Sequence, residues 1–250
     1  MKWKETGLAL LLALTMLSPA LLSYASSDQS PREAVEQVAS LFSSKSTIAT
    51  LVMQITNDDG QRSLSMKIWS LGDKTIIRIN GPKEEAGTAI LKIGSKIWYY
   101  LPKSKRTAEV PATMAMTSWM GSDFSIDDLL KESFLVRDYS ISSSFEGQRG
   151  GVAVHEYTLT PKPDAAVVWG KIVLQVRQAD SVPTWQGYYD EDGKLVRELT
   201  FSDYKTMGGR FIPTHLTMHT VDKPGQKTTI TYKDVAFNVP ISADTFVLPK

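Results

Sequence analysis

From residue 48 onward, apolar side chains recur at every second position, the mark of strands with one face buried. Leu51, Met53 and Ile55 alternate with Val52, Gln54 and Thr56, and beyond the turn Asn57-Asp58-Asp59-Gly60 the residues Leu64, Met66 and Ile68 alternate with Ser63, Ser65 and Lys67. Two such runs joined by an Asp-Gly turn form a hairpin. Further runs lie near residues 74–80, 88–93, 96–101, 134–144, 152–160, 167–177, 182–189, 195–204, 211–220 and 228–237. Their links carry turn chemistry, as in Gly81-Pro82, Pro102-Lys103-Ser104-Lys105, Glu146-Gly147-Gln148, Asp190-Glu191-Asp192-Gly193 and Gly208-Gly209. Short links between consecutive strands imply antiparallel neighbours. A meander of about eleven or twelve strands must curl or be covered to hide its apolar face. The class is therefore α+β, mostly antiparallel β.

Two segments depart from period two. Ser30-Pro31-Arg32-Glu33 combines an N-cap serine, a first-turn proline and a glutamate at the third position, which together satisfy the free amides of a helix start. The pattern predicts a helix of about 13 residues with Val35, Val38, Leu41 and Phe42 on its apolar stripe. Residues 109–133 are too long for a hairpin turn and too apolar for an ordinary surface loop. Met114, Met116, Trp119, Met120 and Phe124 fall together there, ahead of Ser125-Ile126-Asp127-Asp128, a helix start carrying Leu129 and Leu130. Flexible, polarizable thioethers suit a surface that accepts variable apolar shapes. The segment reads either as a fixed plug for one open end of the barrel or as a lid that responds to a ligand.

Composition narrows the function. The 250 residues contain 28 Lys+Arg and 27 Asp+Glu, without the basic excess that neutralises nucleic-acid phosphates. With no cysteine, thiol chemistry, disulfide scaffolds and cysteine-ligated zinc are excluded. Lys2 and Lys4, the apolar stretch 8–22 and small residues ending at Ala25 read as a signal peptide cleaved after residue 25. Cleavage leaves acids and bases balanced and a single domain over residues 26–250, expected in the periplasm.

The strings Thr117-Ser118-Trp119-Met120-Gly121-Ser122-Asp123-Phe124-Ser125, Lys96-Ile97-Trp98-Tyr99-Tyr100-Leu101-Pro102 and Gly209-Arg210-Phe211-Ile212-Pro213-Thr214 resemble the outer-membrane lipoprotein-sorting protein family, within the LolA-like superfamily. The Trp-Met-Gly-Ser-Asp-Phe string is the most specific part of a likeness covering nearly all of residues 26–250. It implies an incomplete antiparallel barrel, covered by helices, whose apolar cavity holds lipid chains between membranes. It also implies a lipid or acyl-chain ligand and, as partner, an inner-membrane RND-type exporter or lipoprotein-release machinery.

The residues support carriage independently. A curled sheet too short to close leaves a concave apolar face, here lined by Leu51, Met53, Leu64, Met66, Ile68, Trp98 and Tyr100, with Met114, Met116, Trp119, Met120 and Phe124 supplying the lid. A fully packed core has the same period, so the sequence leaves groove and core open. An enzyme is not expected. His215 and His219 share one strand face and His155 lies elsewhere, but no HExxH helix, GxSxG elbow or phosphate-cradling glycine loop occurs. Asp123, Asp127 and Asp128 sit around a helix start, where carboxylates cap amides. Asp190-Glu191-Asp192-Gly193 reads as a turn, so no catalytic residue, metal or cofactor is assigned. Lys103, Lys105 and Arg106 form a basic tip suited to peripheral contact with anionic headgroups, and Trp185, Tyr188 and Tyr189 make an aromatic group near the acidic turn.

Overall fold

The computed structural model describes residues 29–130 and 134–249; the expected signal peptide lies outside them. Helix α1 (Pro31–Ser40) is followed by β1 (Ser46–Asn57), β2 (Gly60–Leu71), β3 (Lys74–Gly81), β4 (Ala89–Ile93), β5 (Lys96–Leu101) and β6 (Arg106–Glu109). Three short helices come next, α2 (Ala112–Ala115), α3 (Ile126–Leu130) and α4 (Phe134–Asp138). The chain then runs through β7 (Tyr139–Arg149), β8 (Val152–Pro161), β9 (Lys171–Arg177), β10 (Pro183–Tyr189), β11 (Leu195–Met207), β12 (Arg210–Thr220) and β13 (Lys227–Phe237), with a 3-10 turn at Ala243–Phe246.

All thirteen strands form one sheet, ordered β6-β5-β4-β3-β2-β1-β13-β12-β11-β10-β9-β8-β7. Every neighbouring pair is antiparallel, and no ladder joins β6 to β7, so the barrel stays open. At about 4.8 Å per strand, thirteen strands laid flat would be almost 60 Å wide. Yet Leu64 and Ile90 from one half and Leu159 and Leu174 from the other belong to one apolar cluster, which requires the sheet to curl. Register shifts at Thr50/Leu51 and Ser65/Met66 bend its middle, as bulged strands do.

The thirteen strands exceed the eleven or twelve expected because Arg106–Glu109 pairs as an edge strand without apolar alternation. Two predicted boundaries also move. Residues 134–138 form α4 rather than the start of a strand, and β9 begins at Lys171 because 162–170 is a loop that turns Val167 and Trp169 inward.

Helix α1 is shorter than expected but begins where the pattern places it. Ser30 Oγ accepts from the Glu33 amide at 3.3 Å, and the Ser30 amide donates to Glu33 Oε2 at 2.9 Å. Its stripe of Ala34, Val35 and Val38 is buried against the sheet's inner face. At the other end, the Arg210 guanidinium donates to the carbonyls of Ser40 (2.7 Å) and Ser43 (2.6 Å) while lying on the Phe237 ring. The Ser40 carbonyl also accepts from the Ser43 amide at 3.2 Å, so the guanidinium adds to a turn that closes the helix end. The acidic stretch at 190–193 is a turn closed on itself, with the Lys194 amide donating to Asp190 Oδ1.

Ser30→Ala removes one half of the capping box and should cost about 1 kcal/mol. In urea unfolding the midpoint should fall at an unchanged m-value, since the surface exposed on unfolding is the same.

Candidate functional site

The inner face is built from consecutive rungs of the sheet. Ile68, Ile77, Ile90 and Tyr99 stand side by side on β2 to β5, next to a row made by Leu51, Met66 and Ile79. Leu51, Met53, Leu64 and Met66 are fully buried there, and Ile68 is half-buried against them. Residues 110–130 and 134–138 lie over them. They bring Trp119, Phe124, Ile126, Leu130 and Val136 into the same cluster, with Met120 packed against it.

Trp98 and Tyr100 correct the expected lining. Trp98 lies on the opposite face, against Ile76, Leu91 and Phe246, and strand alternation puts Tyr100 on that side as well. Ile97 and Tyr99 take the inner places. Both parities of β5 are apolar because both faces are covered there, the outer one by the C-terminal segment with Ile241, Phe246 and Leu248. Period two alone cannot choose between them. Of the lid methionines, Met114 is 59 % exposed and Met116 lines open clefts beside the cover.

The cover is folded on itself and latched. Trp119 and Phe124 face each other through the Trp119 amide donating to the Phe124 carbonyl, and the Ser122 amide closes a turn on the Trp119 carbonyl. Met120 and Gly121, with φ of 53° and 71°, form its left-handed centre, the type I′ pattern. This geometry turns Trp119 and Phe124 toward the sheet and sends Asp123 to the β12–β13 connection. The buried Asp123 carboxylate accepts from Thr220 Oγ1 (2.7 Å), Gln226 Nε2 (3.1 Å) and Thr228 Oγ1 (2.8 Å), and the Asp123 amide donates to Thr228 Oγ1.

Arg197 forms the second attachment. Its guanidinium donates to the Asp123 carbonyl at 2.9 Å and to both carboxylate oxygens of Asp128 at 3.0 and 3.2 Å. Trp169 and Tyr188 flank it, 4.6 and 5.1 Å from the charge. Asp128 also accepts from the amide and hydroxyl of Ser125, capping α3. Arg197 and the residues that receive Asp123 were missed in the sequence, because they lie on polar positions of strands and turns far along the chain.

Catalytic alternatives find little geometry. Asp123 and Asp128 are fully engaged by the donors just described. His215 meets Thr231 at 3.1 Å, His219 lies 3.5 Å from Glu198, and His155 lies 3.9 Å from Glu146. Among the described residues no group of three metal-ligating side chains occurs, and no helix is long and apolar enough to cross a membrane. Of the aromatic group, Tyr188 is buried and Tyr189 is half-buried under Lys171.

An open antiparallel sheet closed over by a latched crossing segment defines a LolA-like fold. Residues 72–249, well over half of the chain, match the model of a family described as "Uncharacterized protein", and the chain belongs to that family. An outer membrane lipoprotein-sorting protein domain from Vibrio parahaemolyticus is similar at a TM-score of 0.75 and 24% identity, over 86% of this chain and 95% of that one. A DUF1329 family protein from Desulfovibrio piger matches at 0.78 and 21%, over 87% and 98%. A LolA superfamily protein from Nitrosomonas europaea matches at 0.73 and 18%, over 87% and 97%. At these identities the likeness is one of fold. No curated protein matches the sequence.

Arg197→Ala would leave the Asp128 carboxylate largely buried without its partner, a change that costs about 3–5 kcal/mol. Amide exchange over 118–130 should accelerate, while β1 to β3 stay protected. A second expectation concerns alkali. Burial, ahead of nearby carboxylates, raises the phenols of Tyr139 and Tyr188 above the ordinary tyrosine value; burial also raises Tyr99, offset by the Trp119 indole, which stands beside its hydroxyl without closing a well-formed bond. Folded values above the unfolded value of about 10 mean that stability present below pH 10 is lost as pH rises through the folded values. Ionisation of these tyrosines at 295 nm should coincide with loss of the near-ultraviolet circular dichroism.

Proposed function

We propose that this protein is a periplasmic carrier or chaperone that holds a lipid or lipidated molecule against the concave face of its sheet and passes it between envelope components. The supporting observation is the cover. The inner face is filled by side chains of a segment that belongs to neither half of the sheet and is held by two attachments centred on carboxylates, Asp123 to the β12–β13 connection and Arg197 to Asp123 and Asp128, with single bonds from Arg32 to the Val136 carbonyl and from Lys92 to the Leu130 carbonyl. Five of its side chains, Trp119, Phe124, Ile126, Leu130 and Val136, are buried in the cluster. At about 1.5–3 kcal/mol each they contribute roughly 7–15 kcal/mol, and a sixteen-carbon chain burying about 0.8 kcal/mol per methylene gains about 12. Cover and guest are thus interchangeable fillings of one surface, and exchange between them needs no chemical step.

On this reading residues 26–250 act as one lipid-binding unit after removal of the signal peptide. The lining is formed by Leu51, Met53, Leu64, Met66 and Ile68, and Met116, Trp119, Met120 and Phe124 move with the cover. Handover goes to a membrane-bound partner of the exporter or lipoprotein-release kind. The exposed Lys103, Lys105 and Arg106 assist by resting on anionic headgroups, each worth about 1 kcal/mol near such a surface. A second reading, a non-carrier adaptor for an exporter or envelope sensor, is favoured by the inner face being packed by the chain's own side chains.

Native mass spectrometry of the full chain purified from its own envelope separates the two. A carrier should show lipid-sized adducts, and deleting residues 112–124 should change both uptake and release of a labelled lipid. A bare protein mass, with labelled lipid neither bound nor released differently after the deletion, would sink the carrier reading and leave the adaptor.

A further inference from the structure

One inner rung differs in kind from the apolar rows. Thr47, Ser70, Thr75 and Lys92 stand side by side on β1 to β4, directly beside the row of Ala49, Ile68, Ile77 and Ile90. The hydroxyls satisfy each other locally, Ser44 with Thr47 at 3.0 Å and Ser70 with Thr75 at 3.1 Å. Lys92 does not share in this. It lies on the face of Ile90 and opposite Ile97, both in the inner cluster. Among the described residues its ammonium reaches only the Leu130 carbonyl, at a long 3.4 Å, and no ion pair includes it. Lys92 is half-buried, with its stem along the apolar face and no carboxylate beside it among the described residues.

Lys92 stands at the edge of a cleft of about 780 Å³ between the β4–β5 end of the sheet and the cover, a volume in the range of small-molecule sites. Ile97, Val110, Ala115, Met116 and Leu130 give it an apolar wall. Lys96 and Arg137 add positive charge to the rim, Arg137 being bonded to Asp138, and Glu109 and Asp127 line it as well. Apolar wall and inward cation together suit an amphiphile with a long hydrocarbon chain and an anionic head placed at Lys92, away from the carboxylates of the rim.

We propose that this cleft is the entry site for an anionic single-chain amphiphile. The chain lies along Ile97, Val110 and Met116 and runs on beneath the cover. The head group pairs with Lys92 and replaces the long contact to Leu130, the last described residue of α3. The assignment rests on the carrier reading and narrows its ligand: a charged head held at the sheet's polar rung fixes which end of the lipid enters last.

The experiment uses the full chain, with palmitate and methyl palmitate below their micellar concentrations displacing a fluorescent probe. The unmodified protein should bind palmitate roughly tenfold more tightly than the ester, as expected of a hydrogen bond to a charged group. Lys92→Met should remove that difference and leave ester binding within twofold, while Lys92→Arg should restore it. A diazirine-bearing palmitate should cross-link to residues 97, 110 or 116. Equal binding of acid and ester, a preference that survives Lys92→Met, or cross-links confined to other surfaces would overturn the head-group site while leaving carriage intact. Binding of neither molecule would overturn both.

Discussion

Pairing of β1 with β13 sets the rest of the molecule. Ten residues from Thr47 to Thr56 lie against Phe237 to Lys227, so the strands that begin and end the sheet's sequence occupy its centre. A meander joined in this way has its free edges in the middle of the chain, at β6 and β7. The backbone between those edges must travel from one side of the curl to the other, and the shortest path crosses the concave face. Residues 110–130 are therefore a cover by topology before any of their side chains is considered. Their apolar content follows, since a polar strap over an apolar face would bury unpaired groups at a cost.

The same topology explains why the strap carries its own fastenings. A segment tied only at its two ends would be held by side-chain burial alone, which is non-directional and accepts any comparable filling. Asp123 and Arg197 add direction. Three donors around one carboxylate and a bidentate guanidinium between two rings define a single seated position. Charged hydrogen bonds of this kind depend steeply on geometry, so a small displacement of the strap loses them together. The seated cover therefore has one position, in which all of these polar contacts are made together.

Much of this was legible in the residues. The alternation from Leu51 to Ile68 identified the inner face of the central hairpin, Ser30-Pro31-Arg32-Glu33 located the helix start, and the mixed composition of 109–133 marked the cover. The limits have physical causes. Arg106–Glu109 has no alternation because an edge strand with two exposed faces needs none. Trp98 and Tyr100 were placed inward because β5 is apolar on both parities, and only the C-terminal segment packing on the outer face decides which parity is which. Lys92 and Arg197 look like ordinary polar positions of strands. What distinguishes them is the neighbour opposite, and that depends on register between distant segments.

A packed interior and a transport role are compatible when the packing is modular. In a core whose side chains all come from the sheet and its fixed helices, displacing any residue breaks strand ladders, and the cost is that of unfolding. Here the buried contributions of Trp119, Phe124, Ile126 and Leu130 belong to a segment whose only isolated bridge is internal, between Ser118 and Ser125. Among the described residues, 112–130 share no ladder with the thirteen strands. Lifting that segment costs its burial and its two latches but leaves the backbone pairing of the sheet untouched. On the proposed carrier reading, a guest chain of comparable apolar area would offset the first of these, and the latches would set how readily the exchange proceeds.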